Sequence, residues 1–344
     1  MIFNKKPNLF LMFKDKSIFY MIYDEQKKQI VEHDQIILDQ PVLIDGQLTN
    51  DTLVKKRLEF FVQEKKLKKA KVLFILPDHF SMIRKEEIPV QLEENEIENY
   101  LSLHLNSSIR LPFDSPKIDF QILEKTAESQ YLLLTAYPKE QVETYQGLIE
   151  GVQLQAYVAD FSYLSVYRAF INSDKSFHSK EDHLLLIQWH PFDSSLSVFH
   201  DDIPQFHRHT NFTRVAQNWK QNSKGLWEWT GTEQELELEL VIDEQLNAIE
   251  HFLDFYKFSI MNGEKMVTKV LLTGHYPKLD YLFERLNERI DLKIKMLELP
   301  LDLDQIFAPL YGLISKKNHK DRLNKKRNKK IKANSPEEDK RIND

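Results

Sequence analysis

Two stretches of the chain carry the same order of apolar and polar positions. Residues 8–23, NLFLMFKDKSIFYMIY, and residues 184–199, LLLIQWHPFDSSLSVF, each read as an apolar run, a short polar break and a second apolar run. Short apolar runs bounded by a break predict strand-turn-strand hairpins. Two such units, one near the start and one past the middle, suggest a protein of two lobes that each open on a hairpin. After the first, VEHDQIILDQP (31–41) continues as a strand towards a turn at Asp45-Gly46. Leu53, Val54, Leu58, Phe61 and Val62 then recur at helical spacing with charges between them, which predicts an amphipathic helix over 52–66. KVLFILP (71–77) is an almost continuous apolar run closed by Pro77, the pattern of a strand covered on both faces.

From Ser81 the pattern changes. MIRKEEIPV reads as a strand, and LEENEIENYLSLHL as a helix whose acidic start suits its dipole. KIDFQIL and YLLLTAYP read as strands, QVETYQGLIEG as a helix ending at Gly151, and LQAYVAD as a final strand. We read residues 80–159 as an αβ module inserted into a first lobe made of 1–79 and 160–178. A polar break, NSDKSFHSKED (172–182), leads to a second lobe over 183–315. Within it, a Trp-containing stretch and a helix marked by Leu246, Ile249, Leu253, Tyr256 and Ile260 form a capping subdomain at about 213–262. VTKVLLTG, KLDYLFERLNERI and LKIKMLEL follow as strand, helix and strand. The fold class is therefore α/β. Residues 316–344 hold too few apolar side chains to offset the entropy of ordering, and are expected to form a disordered basic tail.

Charge sharpens this picture. The tail has 12 Lys/Arg against 5 Asp/Glu, a net +7, so the overall −6 leaves −13 on residues 1–315. With no cysteine, disulfide and thiolate chemistry are excluded, which fits a reducing compartment. The N-terminal apolar stretch LFLMF is cut short by Lys14, too soon for a signal peptide, and no run approaches the ~18 apolar residues of a membrane span. A cytoplasmic protein is expected.

The order of elements resembles the actin-like (ribonuclease H-like) ATPase superfamily, and within it the PilM family of type IV and competence pilus assembly. The resemblance is carried by the hairpins, the inserted module, Thr273-Gly274 at a strand end, and above all the stretch 76–123. There Arg84, Pro89, Pro112 and Asp119 fall on the family's order of strand, Arg, apolar-Pro, acidic helix, apolar-Pro and Asp-containing strand. LLLTAYPKEQVETYQGLIEGVQLQAYVADFSYLSVYRAF (132–170) continues it. The resemblance implies an SHS2-like inserted module and a cytoplasmic adaptor at the inner face of the membrane. It also implies a partner: the N-terminal cytoplasmic peptide of a PilN-like membrane protein, held between the module and the first lobe. We place that contact on the 81–105 segment, with Arg84 and Tyr100 as partner-binding residues. Other pilus assembly proteins are further candidate partners.

The resemblance also locates a nucleotide site that this sequence fits poorly. Phosphate hairpins of the superfamily resemble Asp-x-Gly turns, in which glycine lets backbone amides approach the phosphate and aspartate holds metal and water. Here Leu11 and Phe13 stand at those places in the first hairpin, and Gln188 and His190 in the second. The chain has 8 glycines, where average usage would give about 24, and neither hairpin contains one. The Phe13 ring is expected to occupy phosphate space. Gly274-His275 keeps half of a Gly-Gly base-binding turn. No cofactor is therefore expected. Weak ATP binding through Ser194, Ser195 and Gly274, with Asp15 and Asp193 nearby, is the alternative.

Three clusters remain. His200, Asp201, Asp202, His207 and His209 suggest a metal site, but spacing fixes no fourth ligand, so an exposed strand beside a turn is the reading and no metal is assigned. Trp219, Trp227 and Trp229 read as packing. The run LNKKRNKKIK suits a solvated arm, an anionic bilayer or a polyanion; no specific nucleic-acid partner is assigned. The reading is a non-catalytic scaffold, a pseudo-ATPase. The alternatives are an FtsA-like division adaptor, against which the tail lacks an amphipathic helix, and an active sugar or acid kinase of the same superfold.

Overall fold

The computed structural model describes residues 6–105, 107–212, 218–230 and 235–316. The expected tail beyond Lys316 and two parts of the expected capping subdomain, 213–217 and 231–234, lie outside the described residues.

The first lobe opens with strands β1 (Asn8–Lys14), β2 (Ser17–Asp24) and β3 (Gln29–Ile37), an antiparallel meander. A small ribbon, β4 (Leu43–Ile44) and β5 (Gln47–Leu48), leads to helix α1 (Asp51–Glu64). Asn50 caps α1 by accepting from the Leu53 amide at 3.1 Å. Strand β6 (Lys71–Leu76) then returns parallel to β1. The apolar continuity of β1 and β6 has a direct cause: both faces of their sheet are covered. Leu9, Leu11, Phe13, Val72 and Phe74 pack into one core, and Phe10, Met12, Leu73 and Ile75 into another on the opposite face.

The inserted unit comprises β7 (Met82–Pro89), α2 (Glu94–His104), β8 (Pro116–Lys125) and β9 (Ser129–Pro138). Its three strands run β7-β9-β8, and Ile97 and Leu101 of α2 pack with Ile88, Leu132 and Leu134 into a separate small core. Glu93 and Glu96 close the start of α2 as a capping box. The expected end of the module at 159 is corrected here to about 138. Helix α3 (Lys139–Gly151) sends Tyr145, Leu148 and Ile149 into the first lobe's core, and strand β10 (Gln155–Phe161) pairs in parallel with β6. The first sheet thus reads β10-β6-β1-β2-β3.

Helix α4 (Ser162–Ser173) lies between the lobes, with Val166, Tyr167 and Phe170 buried. Tyr167 stacks on Phe199 of the second lobe, ring centres 3.8 Å apart. The second lobe repeats the first: β11 (Leu184–Trp189), β12 (Asp193–His200) and β13 (Ile203–Asn211) form a meander, and a parallel strand follows. Between them come the ribbon β14 (Trp219–Gln221) and β15 (Trp227–Trp229) and the long helix α5 (Glu235–Phe255). The tryptophans do pack: Trp219 and Trp227 are buried in the second core. Strands β16 (Lys269–Gly274) and β17 (Lys293–Met296), joined by helix α6 (Leu279–Arg289), complete the order β13-β12-β11-β16-β17. The two sheets therefore share one plan. Helix α7 (Ala308–Gly312) closes the structure against α4, where Gly312 has no room for a side chain: a Cβ would stand 1.8 Å from the Ser165 carbonyl oxygen.

Candidate functional site

Two cavities sit where these elements meet. The first is a cleft of about 570 Å³ between the lobes, at the tips of the two hairpins. Lys14, Asp15, His79, His190, Phe192 and Asp193 are among its walls. The expectation for Phe13 is corrected: its ring packs in the first lobe's core, 5.1 Å from Tyr145, and borders the cleft without filling it. Strand alternation is the reason, since Leu11 and Phe13 share the face that meets α1 and α3.

The groups assigned to weak nucleotide binding are engaged within the protein. Asp78, just past β6, accepts from the Ser162 amide at 3.2 Å, from the Ser162 hydroxyl, and from the Ser195 hydroxyl at 3.1 Å. Gln188, fully buried, donates to the Ser162 hydroxyl at 2.8 Å. Ser195 is thus a strut between lobes. Ser194 is buried, in register with Trp189. At Gly274, φ is +141°, and a Cβ would lie 1.9 Å from the Trp189 carbonyl oxygen, so the glycine is needed for the close approach of β16 to β11. The following amide, His275 N–H, lies 3.0 Å from that carbonyl and 3.2 Å from His190 Nδ1.

Electrostatics agree with this geometry. Burial, reinforced by Lys14, holds the His190 imidazole down at about 3, so it is neutral at pH 7 and can accept from His275. Burial works against ionisation of Asp193, but Lys14 and the neighbouring histidines outweigh it and hold that carboxyl at about 2. Burial pushes Asp15 up to about 6. His207 and His209, weighed earlier as metal ligands, have other contacts. His207 stacks on Tyr163 and bonds the Ser197 hydroxyl at 2.8 Å, while His209 faces Asp193 at 3.9 Å.

The second cavity is a groove of about 600 Å³ between the inserted sheet and the first lobe. Consecutive residues 117–121 of β8 and 156–161 of β10 line it, and each strand is the outermost of its sheet. Ala136, Ala156 and Ala159 keep it open where larger side chains would close it. At one end Asp160, its side chain 1% exposed, bonds Lys316 Nζ at 2.9 Å and the Arg168 guanidinium. Burial opposes its ionisation, but those two cations prevail and hold the carboxyl below the usual range.

Arg84 and Tyr100 lie away from this groove. Arg84 is on β7, at the opposite edge of the inserted sheet from β8, where it pairs with Glu86 and donates to the Arg110 carbonyl at 3.2 Å. Tyr100 stacks on His104 within α2, ring centres 3.9 Å apart, on the sheet face that carries Ile118 and Phe120. The residues that do line the groove escaped sequence reasoning. One signal was present: Asp160 is the single charged residue of its strand, and Arg168 follows eight residues later on an apolar helix.

A family model described as "Type IV pilus assembly protein PilM" matches residues 20–305. The chain belongs to the PilM family. No curated protein matches its sequence. Among solved structures, PilM-family resemblance extends to the "PilM-PilN type IV pilus biogenesis complex", with a TM-score of 0.70 at 13% identity, covering 90% of this chain and 98% of that one. An ethanolamine utilization protein EutJ from Carboxydothermus hydrogenoformans matches at 0.50 and 8% identity, over 90% and 89% of the two chains. A Bacteroides thetaiotaomicron protein with an actin-like ATPase fold and unknown function matches at 0.48 and 12%, over 92% and 100%. At such identities the likeness is one of fold: this PilM-family chain shares the fold of the PilM-PilN structure and is built of two five-stranded sheets on the same plan.

Proposed function

We propose that this PilM-family chain is a non-catalytic scaffold of type IV pilus assembly. In this reading it holds an extended peptide, the cytoplasmic N-terminus of a PilN-like membrane protein, in the groove between β8 and β10. The observation that carries the proposal is the pair of outermost strands facing one cavity. An extended peptide between them would gain main-chain hydrogen bonds along either edge, with alternate side chains entering the alanine-lined space. A solved PilM-PilN complex of the same fold supports the choice of partner. Cytoplasmic placement at the membrane would follow from the partner, because no helix among the described residues is long and apolar enough to cross a bilayer.

Absence of ATPase activity is part of the same proposal. Phosphate binding in a hairpin turn needs free amides at a glycine, and here the equivalent turns carry side chains, while Ser195, Gln188 and the His275 amide serve contacts within the protein. The family match favours this reading over the division adaptor and the kinase. The test is binding of a synthetic peptide, the cytoplasmic N-terminus of the PilN-like protein of the same cell, measured by fluorescence anisotropy. Ala159→Phe, which fills the groove, should weaken binding at least tenfold, and Arg84→Glu should leave it unchanged. Equal affinity for Ala159→Phe and the unaltered protein would overturn the assignment.

A further inference from the structure

The body of the protein is acidic, yet the turn that joins α1 to β6 is strongly basic. Residues 64–71, EKKLKKAK, hold five lysines against one glutamate, a net +4, so the −13 of residues 1–315 leaves −17 on the rest. The turn is fixed to the core. Leu67 and Ala70 are buried, the Leu67 amide donates to the Val62 carbonyl at 2.9 Å, and the Lys69 amide donates to the Gln153 carbonyl, between α3 and β10, at 2.7 Å. Two of the lysines are engaged within the protein: Lys65 pairs with Glu32 at 2.5 Å, and the Lys71 ammonium stands 3.9 Å from the centre of the Tyr157 ring. Lys66, Lys68 and Lys69 are exposed and have no ion-pair partner among the described residues. Lys6, also exposed, donates to the Lys68 carbonyl and adds a fourth cation. At Lys66 and Lys69 φ is +56° and +66°, where the backbone alone would favour glycine or asparagine, so lysine at both positions is not accounted for by the turn itself. The turn also has a defined place. Lys71 is in register with Gln155 at the start of β10, and Tyr157, beside the Lys71 ammonium, is a wall of the groove.

We propose that Lys66, Lys68 and Lys69, with Lys6, dock this turn on anionic lipid headgroups of the membrane. The choice of a bilayer rests on the groove reading: a membrane protein's cytoplasmic peptide held along β10 keeps the groove, and the lysines at its end, close to the lipid surface. A body that carries −17 elsewhere is repelled by such a surface, so it approaches through the face where the sign reverses. Duplex DNA offers the same charge. A protein that holds it through phosphates makes about 6–10 contacts, however, and one turn with four free cations supplies too few. Each cation near an anionic leaflet is favoured by about fivefold. Four of them give weak binding alone, which a second attachment through the groove would strengthen by raising the effective concentration of each site for its ligand.

The test uses the full-length protein and no partner peptide, so its failure would leave the groove reading standing. Co-sedimentation is measured with vesicles of phosphatidylcholine alone and of phosphatidylcholine with phosphatidylglycerol, at about 100 mM salt, where charges act over about 10 Å. Binding only to the anionic vesicles is expected. The triple variant Lys66→Gln, Lys68→Gln, Lys69→Gln should bind at least roughly tenfold more weakly, and the triple Arg variant at the same positions, which keeps the charge, should bind as the unaltered protein does. Ala159→Phe, which fills the groove, should also leave vesicle binding unchanged. Because the chain has no cysteine, a single Cys can be labelled with a fluorophore at Gln63, exposed beside the turn, or at Asn287, exposed on α6 of the second lobe. Vesicles carrying a nitroxide-headgroup lipid should quench the label at 63 and spare the label at 287. Equal binding to neutral vesicles, no binding to anionic ones, an unaffected triple Gln variant, equal quenching at the two labels, or tighter binding to duplex DNA at the same salt would each overturn the proposal.

Discussion

Asp78 joins the two lobes through polar contacts, and its removal gives a prediction with a defined size. Its carboxylate accepts three hydrogen bonds, two from Ser162 at the start of α4 and one from Ser195 on β12 of the second lobe. Hydrogen bonds to a charged acceptor contribute about 1.5–3 kcal/mol each. The two from Ser162 share one residue and are not additive, so Asp78→Ala should cost about 3–5 kcal/mol. Asp78→Asn keeps one acceptor oxygen and should cost about 1–2 kcal/mol. All four tryptophans, Trp189, Trp219, Trp227 and Trp229, belong to the second lobe, so their fluorescence during urea unfolding reports that lobe, while far-ultraviolet circular dichroism reports both. Asp78→Ala should lower both midpoints, and a double-mutant cycle with Ser195→Ala should show a coupling of about 1 kcal/mol. A loss below 1 kcal/mol for Asp78→Ala, or no coupling to Ser195, would refute the claim that this carboxylate ties the lobes.

Acid should destabilise the protein. His190, His207 and His275 are held at about 3, 4 and 4 against an ordinary 6.5, so the unfolded chain binds their protons more readily and stability is lost as pH falls from 6.5 towards 4. Asp15, raised from 3.8 to about 6, acts in the opposite direction over pH 4–6, and the three histidines outweigh it. Unfolding free energy should be about 4–5 kcal/mol lower at pH 5 than at pH 7.5 in urea titrations, and equal values would contradict the burial of these rings. Lys316→Met should cost about 1–3 kcal/mol by leaving the buried Asp160 with one cation, and Arg168→Met at least as much; thermal unfolding checks both, and a neutral effect of both would show that the carboxyl is not held ionised. Calorimetry with ATP and Mg²⁺ should show no binding in the micromolar range, and turnover above that of a mock preparation would reject the pseudo-ATPase reading.

Much of this fold could be read from local patterns, and the exceptions share one physical origin. The hairpins, α1, β6 and the elements of the inserted unit announce themselves through periodicity, because burial of one face or two writes itself into nearby residues. What periodicity does not encode is the partner of a strand. LQAYVAD reads equally well as the last strand of the module or the edge of the first sheet, and only its pairing with β6, far away in sequence, decides. The same limit hides the groove proposed for the partner. Arg84 and Tyr100 stand out as side chains in the best-matched stretch, whereas the groove is made of backbone edges and alanines, whose role lies in what they leave open. Phe13 failed for a related reason: it stands at the cleft end of β1, but the face it points to depends on what packs beneath the strand.

The central claim is that the space between β8 and β10 receives an extended segment of a membrane partner. Site-specific photo-crosslinking addresses it most directly, with benzoylphenylalanine at Gln121 or Tyr157 in the groove and at Phe60, exposed on α1, as the control. In cells assembling pili, the two groove positions should crosslink to the cytoplasmic N-terminal segment of one single-span membrane protein, identified by mass spectrometry, and Phe60 should not. Crosslinks to that segment from Phe60 and none from either groove position would contradict the account.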